Sequence, residues 1–452
     1  MEFSLPGSAR TIQPARRQSV DSALPSALCI PRSLSRWYLI AVVLFGFGSR
    51  FTLQSGGSTI RIEYVLAAIA LALLFLSGRL PRLSLAKGWP FLLGWLTVNV
   101  ISSLTFAPDV YASLRVLALL VLGAATLILI AYLGGKWGVG LVHVYLKLWF
   151  IAVVVGLVGS GADLLLGTSF FSERYTDVVT YLRIRGTFWE PNFYGIAAMM
   201  LGIVLWDEIL TSRRPGGSRR TALRFLVCFV AVLLSGTRSA QIVFVLGLAA
   251  NTLIRGRLTR AWLTLSMLLA SVTVVLGGFV VSGELHTPYT DRIVGTLLDP
   301  QSSSSLVGRI NMYGMAWEQM GGGLALGYGT NAFGQFNPAL NEQGQAIYGR
   351  LGSYLGSFPL SVLYDTGLIG VLMVLGWLVS HHWAGFYWSR VSAVSQPLWS
   401  FTFVSILMFL CFFTTNGILL SFPWVHMGVT TVLMRIARES RGPIRLPSAR
   451  AV

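Results

Sequence analysis

The chain has 452 residues, 54% of them hydrophobic and only 11% charged, with a mean hydropathy of +0.69. That apolar content exceeds what a soluble core of this length buries, so lipid is the expected solvent for most of the chain. The formal net charge of +17 does not point to nucleic acid, because the basic residues sit in short clusters between apolar runs, as they do in cytoplasmic loops of membrane proteins.

Residues 1–36 carry Arg10, Arg16, Arg17, Arg32 and Arg36 with no apolar stretch before Trp37. They read as a polar cytoplasmic tail and not as a secretory signal. A spanning helix needs about 20 apolar residues, and spans are expected near 37–53, 62–77, 89–106, 113–133, 139–160, 191–206, 222–236, 239–254, 261–282, 358–380, 397–415 and 417–434. The expected fold is all-α, a polytopic integral membrane protein of about twelve transmembrane helices, with a transmembrane domain over 37–436 and a cytoplasmic tail over 437–452. Basic clusters at Arg79 to Lys87, Lys136, Arg213 to Arg220, Arg255 to Arg260 and His381 to Arg390 fall on one side, which becomes the cytoplasm and holds both termini. In this frame His381 and His382 are solvated loop residues. Two long periplasmic loops remain on the other side, 161–190 and 283–357, and connections this long usually carry function. The three cysteines are scattered and the five histidines lack metal-ligand spacing, so neither a disulfide framework nor a metal site is expected.

The exceptions to the charge rule are arginines on the outer side: Arg50, Arg61, Arg115, Arg174, Arg183, Arg185, Arg238, Arg292, Arg309 and Arg350. Charges near membrane depth are expensive unless paired or functional, and guanidinium suits a bidentate grip on phosphate. Lysine occurs just three times in this chain, so codon bias competes as the explanation for residue type, though not for position. Arg238, in Ser235-Gly236-Thr237-Arg238-Ser239, sits in a turn too tight to lift its charge clear of the membrane. Snorkelling to the interface is the plainer reading; a phosphate ligand is the sharper one. Arg183 and Arg185 precede Gly186-Thr187-Phe188-Trp189-Glu190-Pro191-Asn192, where a loop drops into a helix whose free N–H groups and dipole favour an anion. A plain loop pairing those arginines with Glu173, Asp177 or Glu190 is the alternative. Arg309 opens an amphipathic segment through Trp317 that leads into the turn Gly327-Tyr328-Gly329. No Gly-x-Ser-x-Gly elbow is present, which argues against a serine hydrolase.

Four stretches in order resemble the bacterial O-antigen ligase and polymerase superfamily over roughly 37–436: Gly186-Thr187-Phe188 to Pro191-Asn192; Ser235 to Ala240; Gly308-Arg309 with Trp317 before Gly327-Tyr328-Gly329; and Asp365-Thr366-Gly367-Leu368-Ile369-Gly370. The resemblance implies a GT-C-like membrane glycosyltransferase that needs no cofactor. Arg183, Arg185, Asn192, Arg238, Arg292 and Arg309 would hold the pyrophosphate of an undecaprenyl-linked oligosaccharide, and an acceptor glycan would be its other partner. An arginine and a glycine about a dozen positions apart recur in both long loops of polymerases of this family, and Arg183 with Gly195 and Arg309 with Gly321 match that spacing. Ligases resembling this chain carry a His-Asn pair where Gly356 and Ser357 stand here. The missing histidine favours a polymerase of exopolysaccharide, capsule or O-antigen repeat units over a ligase acting on lipid A-core.

The expected reaction is attack of an acceptor hydroxyl on the anomeric carbon with departure of undecaprenyl pyrophosphate. Arg238 and Arg309 would act as electrostatic catalysts in the inner membrane, with Glu190 and Asp291 as candidate bases, each of which also serves as an arginine partner. A chain-length regulator or export proteins are conceivable partners. A secondary transporter is the rival from another class, disfavoured by spans almost free of charge, and a non-catalytic assembly subunit is the third.

Overall fold

The computed structural model describes residues 32–48, 52–55, 58–78, 81, 86–176, 180–211, 215–255, 304–337, 355–392 and 395–440. The expected span 261–282 and the residues Asp291, Arg292, Glu342, Tyr348 and Arg350 lie outside them, as do Arg50, Asp177 and the tails 1–31 and 441–452.

Among the described residues the structure is mostly helical, with 13 helices and little sheet, consistent with an all-α membrane protein. The helices are α1 Arg32–Gly46, α2 Ile62–Leu76, α3 Trp89–Phe106, α4 Val110–Gly134, α5 Val139–Leu166, α6 Pro191–Thr211, α7 Pro215–Leu234 and α8 Arg238–Arg255, followed by α9 Ser304–Gln319, α10 Ala332–Phe336, α11 Phe358–Val391, α12 Ser395–Cys411 and α13 Ser421–Glu439. Five of them, α3, α4, α5, α6 and α11, are long and apolar enough to cross a membrane. Two antiparallel hairpins interrupt the helices: β1 Thr52–Ser55 with β2 Ser58–Arg61, and β3 Ser172–Thr176 with β4 Thr180–Ile184. The second lies in the first of the two long loops expected from the sequence, 161–190. It pairs Glu173 directly with Arg183, an opposite-charge cross-strand pair that favours this register.

Helix α6 is apolar all round and is therefore the helix the others enclose: 94% of its most apolar window is buried. Small residues let its neighbours approach, as expected where lipid supplies no hydrophobic drive between helices. Side chains added at Gly195 and Gly202 would meet Ser235 with Thr237 and Phe244, respectively. Across the bundle, α3, α11 and α13 are joined by stacked indoles, Trp95 on Trp377 at 6.3 Å and Trp377 on Trp424 at 5.3 Å between ring centres.

The histidines correct the sequence reading. Helix α11 runs past the expected end near 380 to Val391, and His381 and His382 are buried inside the bundle, 0% and 8% exposed. A helix that keeps packing against neighbours continues through polar residues that hydropathy alone would assign to a loop.

One end of the bundle is locked by charge. Asp207 of α6, wholly buried, accepts from Arg255 of α8 twice, at 2.7 and 2.9 Å, and from Gln396 at 3.1 Å and Ser400 at 2.6 Å on α12. The guanidinium of Arg255 also lies 4.2 Å above the Trp399 ring. A buried pair satisfied this completely is costly to break from one side. Asp207→Ala is expected to destabilise the detergent-solubilised protein by about 3 kcal/mol, read as a fall in thermal midpoint. Arg435→Ala, which removes an exposed pair with Glu439, is expected to shift it by less than about 0.5 kcal/mol.

Candidate functional site

The other end of the bundle holds Arg183, Arg185, Arg238 and Arg309 of the sequence-predicted arginines; Arg292 lies outside the described residues. The β3–β4 hairpin is bolted to the end of α5 by Asp163, which accepts from Ser172 N at 2.8 Å and Ser172 Oγ at 2.9 Å and also from Thr168 and Phe171 N. The chain then turns through Gly186, whose φ of +58° and close packing on Tyr194 and Gly156 leave no space for a side chain, and enters α6 at Pro191. This path creates an open cleft of about 450 Å³ lined by Glu173, Arg183, Arg185, Trp189, Glu190, Pro191 and Asn192.

Backbone and amide groups hold the arginine heads in place. Arg183 donates through Nε to the Ser235 carbonyl at 3.2 Å and through Nη2 to Asn192 Oδ1 at 3.0 Å. Arg185 donates to the Ser169 carbonyl at 2.6 Å. Asn192 Nδ2 points to Glu190 Oε2 at 3.5 Å, and Thr237 Oγ1 donates to the Pro191 carbonyl at 3.1 Å, which ties the α7–α8 turn to the start of α6. Gly195 makes this possible, since any side chain there would collide with Ser235 and Thr237. The spacing between Arg183 and Gly195 noted in the sequence therefore has a physical basis: the arginine grips the turn for which the glycine makes room.

Arg238 is the first residue of α8, directly after Thr237, and is partly buried. The next residue, Ser239, receives a long contact to its carbonyl from Cys411 Sγ at 3.8 Å at the end of α12. The loop leaving α12 then receives Arg309, whose Nη1 donates to the Thr414 carbonyl at 2.6 Å. Arg309 lies on α9, the amphipathic segment expected from the sequence: Ala316, and Met320 just after the helix, are buried against Phe333 and Tyr364, whereas Ile310 and Trp317 are exposed. Tyr313, one turn on, donates to the Gly356 carbonyl at 3.4 Å, and burial raises its phenol above the ordinary value while the Arg309 charge opposes the rise. A chain of contacts thus links Arg183 and Asn192, then Thr237 and Arg238, then the 411–414 segment, then Arg309. The Gly321 partner suggested for Arg309 has open space around it and no comparable packing role.

The two glycine motifs are interlocked. Helix α11 breaks at Gly367 (φ +62°, ψ −166°), and the Gly327-Tyr328-Gly329 turn lies across the break. Tyr328 N donates to the Tyr364 carbonyl at 2.9 Å, Gly329 N to the Asp365 carbonyl at 2.9 Å, and Leu368 N returns to the Leu324 carbonyl at 2.9 Å. A side chain at Gly327 would strike the Asp365–Thr366 backbone, and one at Gly367 the Ala325 backbone. Both glycines also hold positive φ, a conformation that L side chains rarely adopt. Beside this clasp is a small cavity of about 40 Å³, lined among others by Asn99, Thr330, Asn331, Ser361, Asp365 and Asn416. The sequence reading missed this group. Two signals were available: the Asp365-Thr366-Gly367 stretch, and the polar run Thr414-Thr415-Asn416-Gly417 at the junction of the last two expected spans.

Residues 223–375 match the O-antigen ligase family, about a third of the chain. The match supports the O-antigen ligase and polymerase superfamily and glycan transfer of the ligase or polymerase type in general. It spans Arg238, Arg309 and the glycine clasp; Arg183, Arg185, Glu190 and Asn192 lie before it. No curated protein matches the chain.

The clasp yields a direct test. Gly327→Ala and Gly367→Ala are each expected to cost more than the 1–2 kcal/mol or so of a left-handed L residue, because a backbone collision adds to it. Gly314→Ala, at an exposed position of α9 with open space around it, is expected to be silent. Thermal unfolding and the yield of monodisperse protein in detergent measure the contrast.

Proposed function

We propose that the protein polymerises lipid-linked oligosaccharide repeat units, transferring glycan from undecaprenyl pyrophosphate to an acceptor sugar hydroxyl at the outer face of a bacterial inner membrane. The observation that carries this reading is the convergence of Arg183, Arg185, Arg238 and Arg309 at one end of a membrane bundle, with Asn192 and the start of α6 beside them. Negative charge gathers on the departing pyrophosphate, and fixed guanidinium groups are suited to receive it without reorganising. A guanidinium has five N–H donors; Arg185 and Arg309 each give one to a backbone carbonyl, which fixes the head and leaves donors for phosphate oxygens. The polyprenyl chain would lie against lipid-facing helix grooves. Charge compensation by arginine requires no metal ion in this scheme, and Arg292 would add to it from the segment beyond α8.

Orientation is part of the proposal. Arg219, Arg220, Arg255, Arg390, Arg435 and Arg438 belong to the end opposite the cleft, which by the positive-inside rule would be cytoplasmic and hold both termini. Glu190, within reach of Asn192 in the cleft, serves best as a partner that orients the amide, and Asp291 keeps the status of a candidate base. A chain-length regulator or export proteins would act on the product at the same face.

Ligation of finished glycan to lipid A-core is the second reading, favoured by the family match and disfavoured by Gly356 and Ser357 in place of a His-Asn pair. Deleting the gene and analysing the glycans separates them. Polymerase loss leaves single lipid-linked repeats without long polymer; ligase loss leaves long chains on the carrier. In complementation, Arg238→Ala and Arg309→Ala are each expected to lower product by about 100-fold, the scale of losing one preorganised charge-stabilising donor, and lysine at either position to recover only a fraction. Normal polymer from both alanine variants would refute the pyrophosphate grip.

A further inference from the structure

The arginines account for the donor and leave the acceptor without a place. The cavity beside the glycine clasp has the features that a sugar hydroxyl needs. Its polar groups arrive from four separate stretches: Asn99 from α3, Thr330 and Asn331 from the turn before α10, Ser361 and Asp365 from α11, and Asn416 from the α12–α13 loop. They are oriented by one another before any ligand arrives. Asn99 Oδ1 accepts from Thr330 Oγ1 at 3.0 Å while its Nδ2 donates to the Trp95 carbonyl at 2.9 Å; Asn416 Nδ2 donates to Ser361 Oγ at 3.0 Å. Asn331 holds φ +59°, the one positive-φ residue other than glycine among those described, and such strained positions gather at ligand-binding sites. Trp95 and Phe358 supply apolar walls, the mixture of a few placed polar groups on an apolar lining that marks small-molecule sites.

Asp365 stands out within this group. Its backbone carbonyl is fixed twice, by Ser102 Oγ at 2.8 Å and Gly329 N at 2.9 Å, so the residue cannot drift. Its side chain faces the backbone N–H groups of Asn331 and Ala332, is partly exposed, and forms no hydrogen bond or ion pair with another side chain among the described residues. A volume near 40 Å³ admits a hydroxyl or a water or two and excludes a sugar ring, so only the reacting edge of an acceptor fits. Asn416 lies two residues from Thr414, the anchor of Arg309; one loop therefore serves both the cavity and the arginine grip.

We propose that this cavity is the acceptor subsite, with Asp365 as the base for the attacking hydroxyl and Asn99, Thr330 and Asn416 as its orienting partners. The inference rests on the glycan-transfer reading. In the step, the acceptor oxygen forms a bond to the anomeric carbon as the bond from that carbon to the pyrophosphate oxygen breaks. The bonding pair leaves with the pyrophosphate, and the hydroxyl proton passes to the Asp365 carboxylate, which returns it to water.

The test uses full-length protein in membranes that carry the native lipid-linked glycan, with inorganic pyrophosphate as a separate binding probe. Asp365→Asn is expected to lower polymer formation by about 100-fold or more while keeping the Arg309-dependent thermal stabilisation that pyrophosphate gives the wild type. Sodium formate, small enough for the cavity, is expected to restore at least part of the rate to Asp365→Ala. Should the Asp365 variants not fold, Asn416→Ala and Thr330→Val carry the test, each expected to lose about tenfold in rate with pyrophosphate stabilisation intact. Polymer formation within about threefold of wild type in Asp365→Asn, or in both substitute variants, overturns the acceptor subsite and leaves the donor reading standing. Absence of pyrophosphate stabilisation in the wild type, together with normal glycan in the deletion strain, overturns the glycan-transfer reading itself.

Discussion

The candidate site depends on one pairing, a guanidinium on a backbone carbonyl that a helix has left behind. The last carbonyls of a helix have no partner within it, and the dipole makes that end partly negative. At the cleft end, the arginines take carbonyls just beyond such termini. Arg185 takes Ser169 after α5, Arg183 takes Ser235 after α7, and Arg309 takes Thr414 after α12. Arg61 also takes a loop carbonyl, Leu419 ahead of α13, at 2.7 Å. Each contact answers two demands at once: it satisfies a carbonyl that no helix ladder reaches, and it fixes a long side chain that would otherwise lose entropy only on binding.

The choice of carbonyl over carboxylate has an electrostatic consequence that the two ends of the bundle make plain. Arg255 is matched by the full charge of Asp207 and belongs to the architecture of the opposite end. A carbonyl offers only a dipole, so no carboxylate among the described residues offsets the Arg309 charge. The Arg183 and Arg185 pair is a mixed case, because Glu173 and Glu190 share their cleft; those carboxylates lower the standing charge of the cleft and keep two neighbouring cations from repelling each other before an anion arrives.

The described helices, the arginines of the cleft end and both glycine motifs were legible in the sequence because each is a local pattern: an apolar run, a charge between apolar runs, or glycine where the backbone must bend. What was hidden depends on residues that meet only after folding. Asn99 and Asn416 look like stray polar residues inside apolar runs until Thr330 and Ser361 close on them. The β3–β4 hairpin was concealed because its strands are only five residues each, too short for hydropathy alternation to stand out. His381 and His382 misled for the opposite reason, polar side chains inside a helix whose surroundings, not its composition, bury them.

The clasp explains why the two glycine motifs must coexist. A helix entering a membrane with its full ladder of hydrogen bonds has no reason to break, and breaking it leaves groups that need partners. At Gly367 those partners are the Leu324 carbonyl and its neighbours, reached only because Gly327 and Gly329 allow backbone to lie on backbone. The break in turn sets the Asp365 carbonyl against Ser102 and Gly329 and carries the carboxylate to the rim of the cavity. Motifs more than thirty residues apart in sequence are thus a single structural unit, and neither would hold its conformation if the other were lost.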